Sequence, residues 1–366
     1  MHGASPVTLY IDMLADQMPL TVSVPLPSSI GDGAAGVAYV LFRRFIIRKD
    51  ATLLARADEW LSRAFDLASF LPEARNTSSP LHGLPGLFWM RAALRAAQGR
   101  DLQCAAGVSN FIDAVRAHAG TSVDLALGDS GAALACTSLM SICPKEAHST
   151  LRSLAQELLA NLIRWIERPV AIRFDSSMPY LGAAHGWCGV LFACLLTANA
   201  LEDLPPSVEA RCLELAQLGE RGPSGVVWPL SLRADVPKTY WDGWCHGLAG
   251  YLFLWCAAIE VLRSPAFELC AAQTAATMQR RMEALSPHLC CGLAGQAYAL
   301  LRYARVSGDS QWESAARECA GRAFTDPGLA LPTRAPDLMK GLLGVAMLSE
   351  ELDSRGDHGF PALNGN

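Results

Sequence analysis

Three cysteines stand out by type and spacing. Cys245 lies in "GWCHGLAGY" (residues 243–251), and Cys290 and Cys291 lie in "HLCCGLAGQAY" (residues 288–298). Both stretches place cysteine just before Gly-Leu-Ala-Gly, with the two glycine pairs 45 residues apart. A catalytic zinc takes three protein ligands and keeps a fourth position open. Cys245 with the Cys290–Cys291 pair would supply three sulfurs from two helix starts, and a helix start favours thiolate over thiol. The spacing is not a C-x-x-C…C-x-x-C pattern, so buried or redox cysteines compete with this reading. Three thiolates on zinc make a centre of net negative charge. Such a centre is a weak Lewis acid, better suited to binding an incoming thiol and keeping its sulfur nucleophilic than to hydrolysis.

Other reactive residues stand at similar places. His185 in "GAAHGWCG" is a candidate general acid/base, since its charge changes near working pH; the competing reading is a structural histidine. Asp124 in "DLALGDSG" could hold that histidine, or serve as a helix N-cap. His246 could be a ligand, a second proton donor, or a ring packed at the rim. His82 in "PLHGLPG" has the local form of His185 but no metal-like partner, and reads as structural. Cys188 falls off the register of the other cysteines and reads as core. Trp187, Trp241 and Trp244 are candidates to line the same opening. No dinucleotide fingerprint, phosphate-binding Walker loop or H-E-x-x-H motif occurs.

The elements that must position these residues are repeated. Gly-x-x-Gly followed by an apolar run occurs seven times, from Gly33, Gly83, Gly128, Gly186, Gly247, Gly292 and Gly341. Each interval of 45 to 61 residues holds two helices. The run after each glycine pair is apolar nearly all round, as in an inner helix. The segment between is amphipathic: in "TLRSLAQELLANLIRWIERP", Leu151, Leu154, Leu158, Leu162 and Trp165 follow helical spacing, and Pro169 stops the helix. Glycine allows close backbone approach and positive φ in the entering turn. The first and last repeats are as apolar as the middle ones, which favours closure over an open stack with polar caps. The expected fold is all-α: a closed α/α toroid of seven hairpins, about fourteen helices in an inner and an outer ring, forming a single domain over residues 1–366. All seven glycine pairs then lie at one end and their flanking residues converge on one mouth. The irregular segment 219–243 is the candidate loop or short-strand cover of that mouth.

Composition bounds the rest. The net charge of −5, without a basic run, argues against a nucleic-acid partner. With 51% apolar and 18% charged residues, a large core is available and disorder is not. The N-terminal stretch lacks a basic, apolar leader, and no uncharged apolar run is long enough to span a membrane. The twelve cysteines therefore read as reduced thiols in a cytoplasmic protein.

Taken together, "AHGWCG", "WCHGLAG" and "CCGLAG", on seven Gly-x-x-Gly repeats that cover essentially the whole chain, resemble the LanC-like family of lanthionine synthetase cyclases. The resemblance implies an α/α toroid with one zinc. It implies Michael-type addition of a precursor-peptide cysteine to dehydroalanine or dehydrobutyrine, giving lanthionine or methyllanthionine in lanthipeptide biosynthesis. Carried over, Cys245, Cys290 and Cys291 match the zinc ligands, His185 the acid/base histidine, and Asp124 an acidic residue of the same site. His246 is not a ligand in the family pattern and is left a proton-transfer or supporting role. Two departures exist. Cys291 stands where many stand-alone cyclases have histidine, and Trp241 stands where a basic residue is common, with Lys238 as a candidate substitute. The repeats use nearly the whole length, so a separate dehydratase is the expected partner. Competing readings are zinc-thiolate prenyl transfer, thiol (glutathione) addition to dehydrated proteins, and a peptide-binding scaffold with a structural zinc. A carbohydrate-active α/α barrel would need two facing carboxylates, and the mouth offers Asp124 alone with any clarity.

Overall fold

The computed structural model describes residues 26–70, 76–282, 285–326, 337–352 and 359–363. These contain thirteen α-helices in two rings. The inner helices each start on a Gly-x-x-Gly pair: α1 (Ala34–Arg48), α3 (Leu84–Ala97), α5 (Asp129–Ile142), α7 (Trp187–Leu201), α9 (Leu248–Leu262), α11 (Leu293–Ser307) and α13 (Leu342–Glu351). The outer helices are α2 (Ala51–Phe70), α4 (Asp101–Arg116), α6 (His148–Ile166), α8 (Pro206–Gln217), α10 (Pro265–Arg280) and α12 (Gln311–Thr325). Chain that would carry the expected fourteenth helix lies outside the described residues. No helix among the described residues is long and apolar enough to cross a membrane.

Of the two reasons expected for glycine, close backbone approach holds and positive φ does not. The first glycine of every pair is extended, with φ between −116° and −147°, so positive φ is not what selects it. The selection is steric. The chain before each inner helix folds back over its first turn, and a Cβ would strike a carbonyl oxygen six residues upstream. At Gly33 it would lie 1.9 Å from the Pro27 oxygen, and at Gly250 it would lie 2.3 Å from the Trp244 oxygen. The same fold-back caps the helices. The N–H groups of Leu248 and Ala249 donate to the Trp241 and Asp242 carbonyls, and those of Leu293 and Ala294 to Ser286 and Pro287. Orphan donors at a helix start are thus satisfied by backbone, and no inner helix uses a side-chain cap.

The inner ring closes. Each inner helix packs on the next, and α13 packs on α1. Around the mouth, the turn before each inner helix bonds to the turn of the next repeat. Gly31 N donates to Leu81 O (2.8 Å), Ser79 Oγ to Leu125 O (3.0 Å), and Ala126 N to Ala184 O (2.9 Å). Ala184 N donates to Cys245 O (2.8 Å), Cys245 N to Cys290 O (3.1 Å), Cys290 N to Met339 O (2.8 Å), and Met339 N back to Gly31 O (3.2 Å). The seam between α13 and α1 carries a buried ion pair, Arg43–Glu351 at 2.6 Å, and a half-exposed one, Arg48–Glu350 at 2.6 Å.

The C-terminal segment crosses the hollow of the ring. Phe360 is fully buried; it stacks on Trp244 with centroids 4.0 Å apart and meets Phe253 of α9 edge-on. Two residues later, the Ala362 N–H donates to the Tyr39 hydroxyl of α1 at 2.8 Å. Helices α1 and α9 are not neighbours in the ring, so a segment that touches both fills the space between them.

Outer helices show the expected amphipathic burial: Leu151, Leu154, Leu158 and Leu162 of α6 are buried, and the helix ends at Ile166. Segment 219–243 does form short strands, β1 (Glu220–Gly222) and β2 (Gly225–Val227), an antiparallel hairpin. The hairpin does not cover the mouth. It packs on outer helix α10, where Val226 N donates to Thr277 Oγ1 (3.1 Å) and Arg280 Nε to Ser224 O (2.8 Å). Trp241 is the one residue of the segment that reaches the mouth cavity among the described residues.

Candidate metal centre and acid/base pair at the ring mouth

Two positions per repeat build the mouth, those immediately before the first glycine. In ring order they carry Gly31–Asp32, Leu81–His82, Ala126–Leu127, Ala184–His185, Cys245–His246, Cys290–Cys291 and Met339–Lys340. All of these except Gly31 and Leu127 line a cavity of about 350 Å³, together with Trp241 and Trp244.

Cys245 and Cys290 occupy the same position in successive repeats. The backbone hydrogen bond between them and the close approach of Gly243 bring their turns together; a Cβ on Gly243 would lie 2.5 Å from Cys291 Cα. Cys291 Sγ lies 3.4 Å from Cys245 Sγ and 3.4 Å from Cys290 Sγ, and all three sulfurs lie within 4.8 Å of one another. These separations are far beyond the ~2.05 Å of a disulfide. They are close to the ~3.8 Å edge of a tetrahedron with zinc–sulfur bonds of ~2.3 Å. Every cysteine among the described residues is free. The donor set therefore fits one thiophilic ion.

The three thiols share charge unevenly. The hydrogen-bonded contacts with Cys245 and Cys290 draw the Cys291 thiol well below the usual range, with Lys340 adding a smaller pull. Cys290 is pushed far up by its hydrogen bonds to Cys245 and Cys291 and by burial. Binding an ion would displace the thiol protons from this cluster. The backbone N–H groups that begin α9 and α11 point at carbonyls, not at the sulfurs.

His185 and Asp124 meet as a pair. His185 Nδ1 lies 3.2 Å from Asp124 Oδ2, with the histidine partly exposed and the carboxylate mostly covered. Asp124 Oδ1 also accepts the Leu127 N–H at 2.6 Å. Asp124 thus caps the turn before α5 rather than the helix itself, and holds the histidine as well. His246 stands beside them, its ring centroid 5.8 Å from that of His185, 5.7 Å from Tyr180 and 6.5 Å from Trp241. Its Nδ1 has no hydrogen-bond partner among the described residues. Burial, and then the nearby His185, hold its pKa below the ordinary histidine value.

All six residues singled out from sequence lie in one region of the mouth. Cys188 is buried in α7, as expected for core. Trp187 is also buried and lies off the cavity, whereas Trp241 and Trp244 line it. Lys238 does not replace the missing basic residue: its ammonium pairs with Glu220 at 2.8 Å on the hairpin side. Three further residues line the cavity, Asp32, His82 and Lys340. His82, read as structural, lines the cavity with its Nδ1 3.2 Å from Asp32 Oδ2, and Lys340 lines it beside Cys291. Their signal was positional: each stands immediately before a first glycine, as do His185 and Cys291.

The fold is shared with nisin cyclase. The two superpose with a TM-score of 0.72 at 14% sequence identity, over 98% of this chain and 95% of the other. The model of the family described as lanthionine synthetase C-like protein matches residues 24–363. With that match over nearly its whole length, and with a closed double ring of helices, the chain belongs to the lanthionine synthetase C-like family.

Proposed function

We propose that the chain is a zinc-dependent lanthionine and methyllanthionine cyclase. It joins a cysteine thiol of a dehydrated ribosomal precursor peptide to a dehydroalanine or dehydrobutyrine of the same peptide. The observation that carries this reading is the meeting of three clustered sulfurs and a carboxylate-held histidine in one mouth cavity. A separate dehydratase supplies the dehydroamino acids. A reducing, cytoplasmic setting suits a site that needs three free thiols.

Cys245, Cys290 and Cys291 would hold the zinc. When bound, zinc activates the thiol: it lowers the pKa of an incoming peptide sulfhydryl while three thiolate ligands keep that sulfur electron-rich. The residues of the chain manage the protons. Donation of Nδ1–H to Asp124 fixes the His185 ring and its tautomer, leaving Nε2 for exchange. As sulfur bonds to Cβ, the π pair moves onto the Cα–C–O unit, and His185 protonates Cα. The thiol has lost one proton and Cα gains one, so the addition balances without an oxidant or reductant. His246, its pKa held below the ordinary histidine value by burial, serves as a second proton carrier beside His185. The cavity, near the small end of the ~300–1,000 Å³ range of ligand pockets, admits the two reacting residues and leaves the rest of the peptide outside.

The test is to measure zinc per chain and thiol loss on a dehydrated peptide for wild type, Cys291→Ala and His185→Ala. The expected results are about one zinc in wild type, weakened or lost binding in Cys291→Ala, and retained metal with lost activity in His185→Ala. A metal-free wild type that still closes rings overturns the mechanism.

A further inference from the structure

The addition has a need that the cysteines and His185 do not meet. As the sulfur attacks, negative charge builds on the carbonyl oxygen of the dehydroamino acid, and such charge is stabilised by a donor or cation fixed beside it. Among the residues that line the mouth cavity, Lys340 is the sole lysine or arginine. Its repeat follows that of Cys291 in the ring, at the equivalent position, and its charge acts on the Cys291 sulfur. The base of its turn is fixed, because Lys340 N donates to Asp337 Oδ1 at 2.7 Å and Met339 N to Gly31 O. The other acid on this wall, Asp32, faces His82 at 3.2 Å. The Lys340 ammonium makes no ion pair within 4 Å among the described residues. Its charge also acts on the Asp337 carboxylate, and in ring order it stands one repeat beyond Cys291 and three beyond His185.

We infer that Lys340 is a catalytic residue of the cyclisation, its ammonium binding the acceptor carbonyl oxygen as it becomes an enolate. The inference rests on the cyclase reading and adds a substrate contact to it. Sulfur forms its bond to Cβ; the π electrons move to the oxygen that Lys340 holds; His185 delivers the proton to Cα, and the carbonyl returns. The ammonium keeps its protons throughout. Lys340 and His185 then grip the acceptor from two sides, which fixes the face of Cα that is protonated.

The test uses a synthetic peptide with one cysteine and one dehydroalanine, and the zinc-loaded full chain as wild type, Lys340→Met and Lys340→Arg. Lys340→Met should retain its zinc and its melting temperature, since the side chain is exposed. Its kcat should fall roughly 10²-fold with KM little changed, as for loss of one oxyanion donor. Lys340→Arg, which keeps the charge, should recover most of that loss, and the methionine variant should give a lower stereochemical excess at Cα. An active wild type with an equally active Lys340→Met overturns the inference alone. Loss of zinc in Lys340→Met also overturns it, because the residue would then be helping to assemble the metal site. A zinc-loaded wild type that does not accelerate ring closure overturns the inference together with the reading on which it rests.

Discussion

The turns before α7, α9 and α11 carry Ala184–His185, Cys245–His246 and Cys290–Cys291; those before α1, α3 and α5 carry Gly31–Asp32, Leu81–His82 and Ala126–Leu127 at the same two positions. Their backbones are nearly interchangeable. Each folds back over its inner helix and passes a hydrogen bond to the next repeat. Two histidines lie 3.2 Å from an aspartate: His82 with Asp32 inside the second set, and His185 with Asp124, which reaches across from the turn before α5. The difference is that three sulfurs meet in one half and none in the other. The repeated backbone thus sets where a side chain projects, and residue identity at two positions per repeat sets the chemistry. The Asp124 carboxylate is also the more covered of the two, at 13% against 37% exposure for Asp32, so its hold on a histidine is less screened by solvent.

That contrast can be broken from either side. The largest effect is expected from Cys291→Ala, which removes the sulfur that lies 3.4 Å from both others. Ring closure should fall to the uncatalysed rate and zinc content should drop, while the helical circular dichroism stays unchanged. Next is His185→Ala, with a loss of roughly 10²–10⁴-fold in kcat, the usual worth of a general acid, at unchanged zinc content. Phe360→Ala tests what ties the two halves together. It empties the space beneath Trp244 and should cost about 3–5 kcal/mol of stability, read as a lower denaturation midpoint. The smallest effect belongs to His82→Ala, in the half without sulfur. Its kcat should stay within roughly a factor of three of wild type, and a loss as large as that of His185→Ala would show that both histidine–aspartate pairs serve the reaction.

Much of this was legible in the sequence because it repeats. Seven glycine pairs with apolar runs announce seven inner helices, since close packing against an upstream carbonyl tolerates no Cβ. The cysteine cluster was legible because Cys245 and Cys290 hold one register, and register becomes proximity once the ring forms. His82, Asp32 and Lys340 hold a related register, but side-chain chemistry alone does not reveal that they share the cavity. The crossing of the hollow by Phe360–Leu363 has no periodic signature at all; it follows from a space of the right size between α1 and α9. The hairpin of segment 219–243 was legible as short strands. Its place on α10 depends on Thr277 and Arg280, about 50 residues further along the chain.

The central claim is that the thiols of Cys245, Cys290 and Cys291 jointly hold one metal ion. X-ray absorption at the zinc edge, on protein purified under reducing conditions, tests it most directly. The expected spectrum has three protein sulfurs at ~2.3 Å on about one zinc per chain, and loses one sulfur in Cys291→Ser. A wild-type spectrum with one or no sulfur neighbour, or a zinc-free chain with two of these cysteines joined as a disulfide, would contradict it.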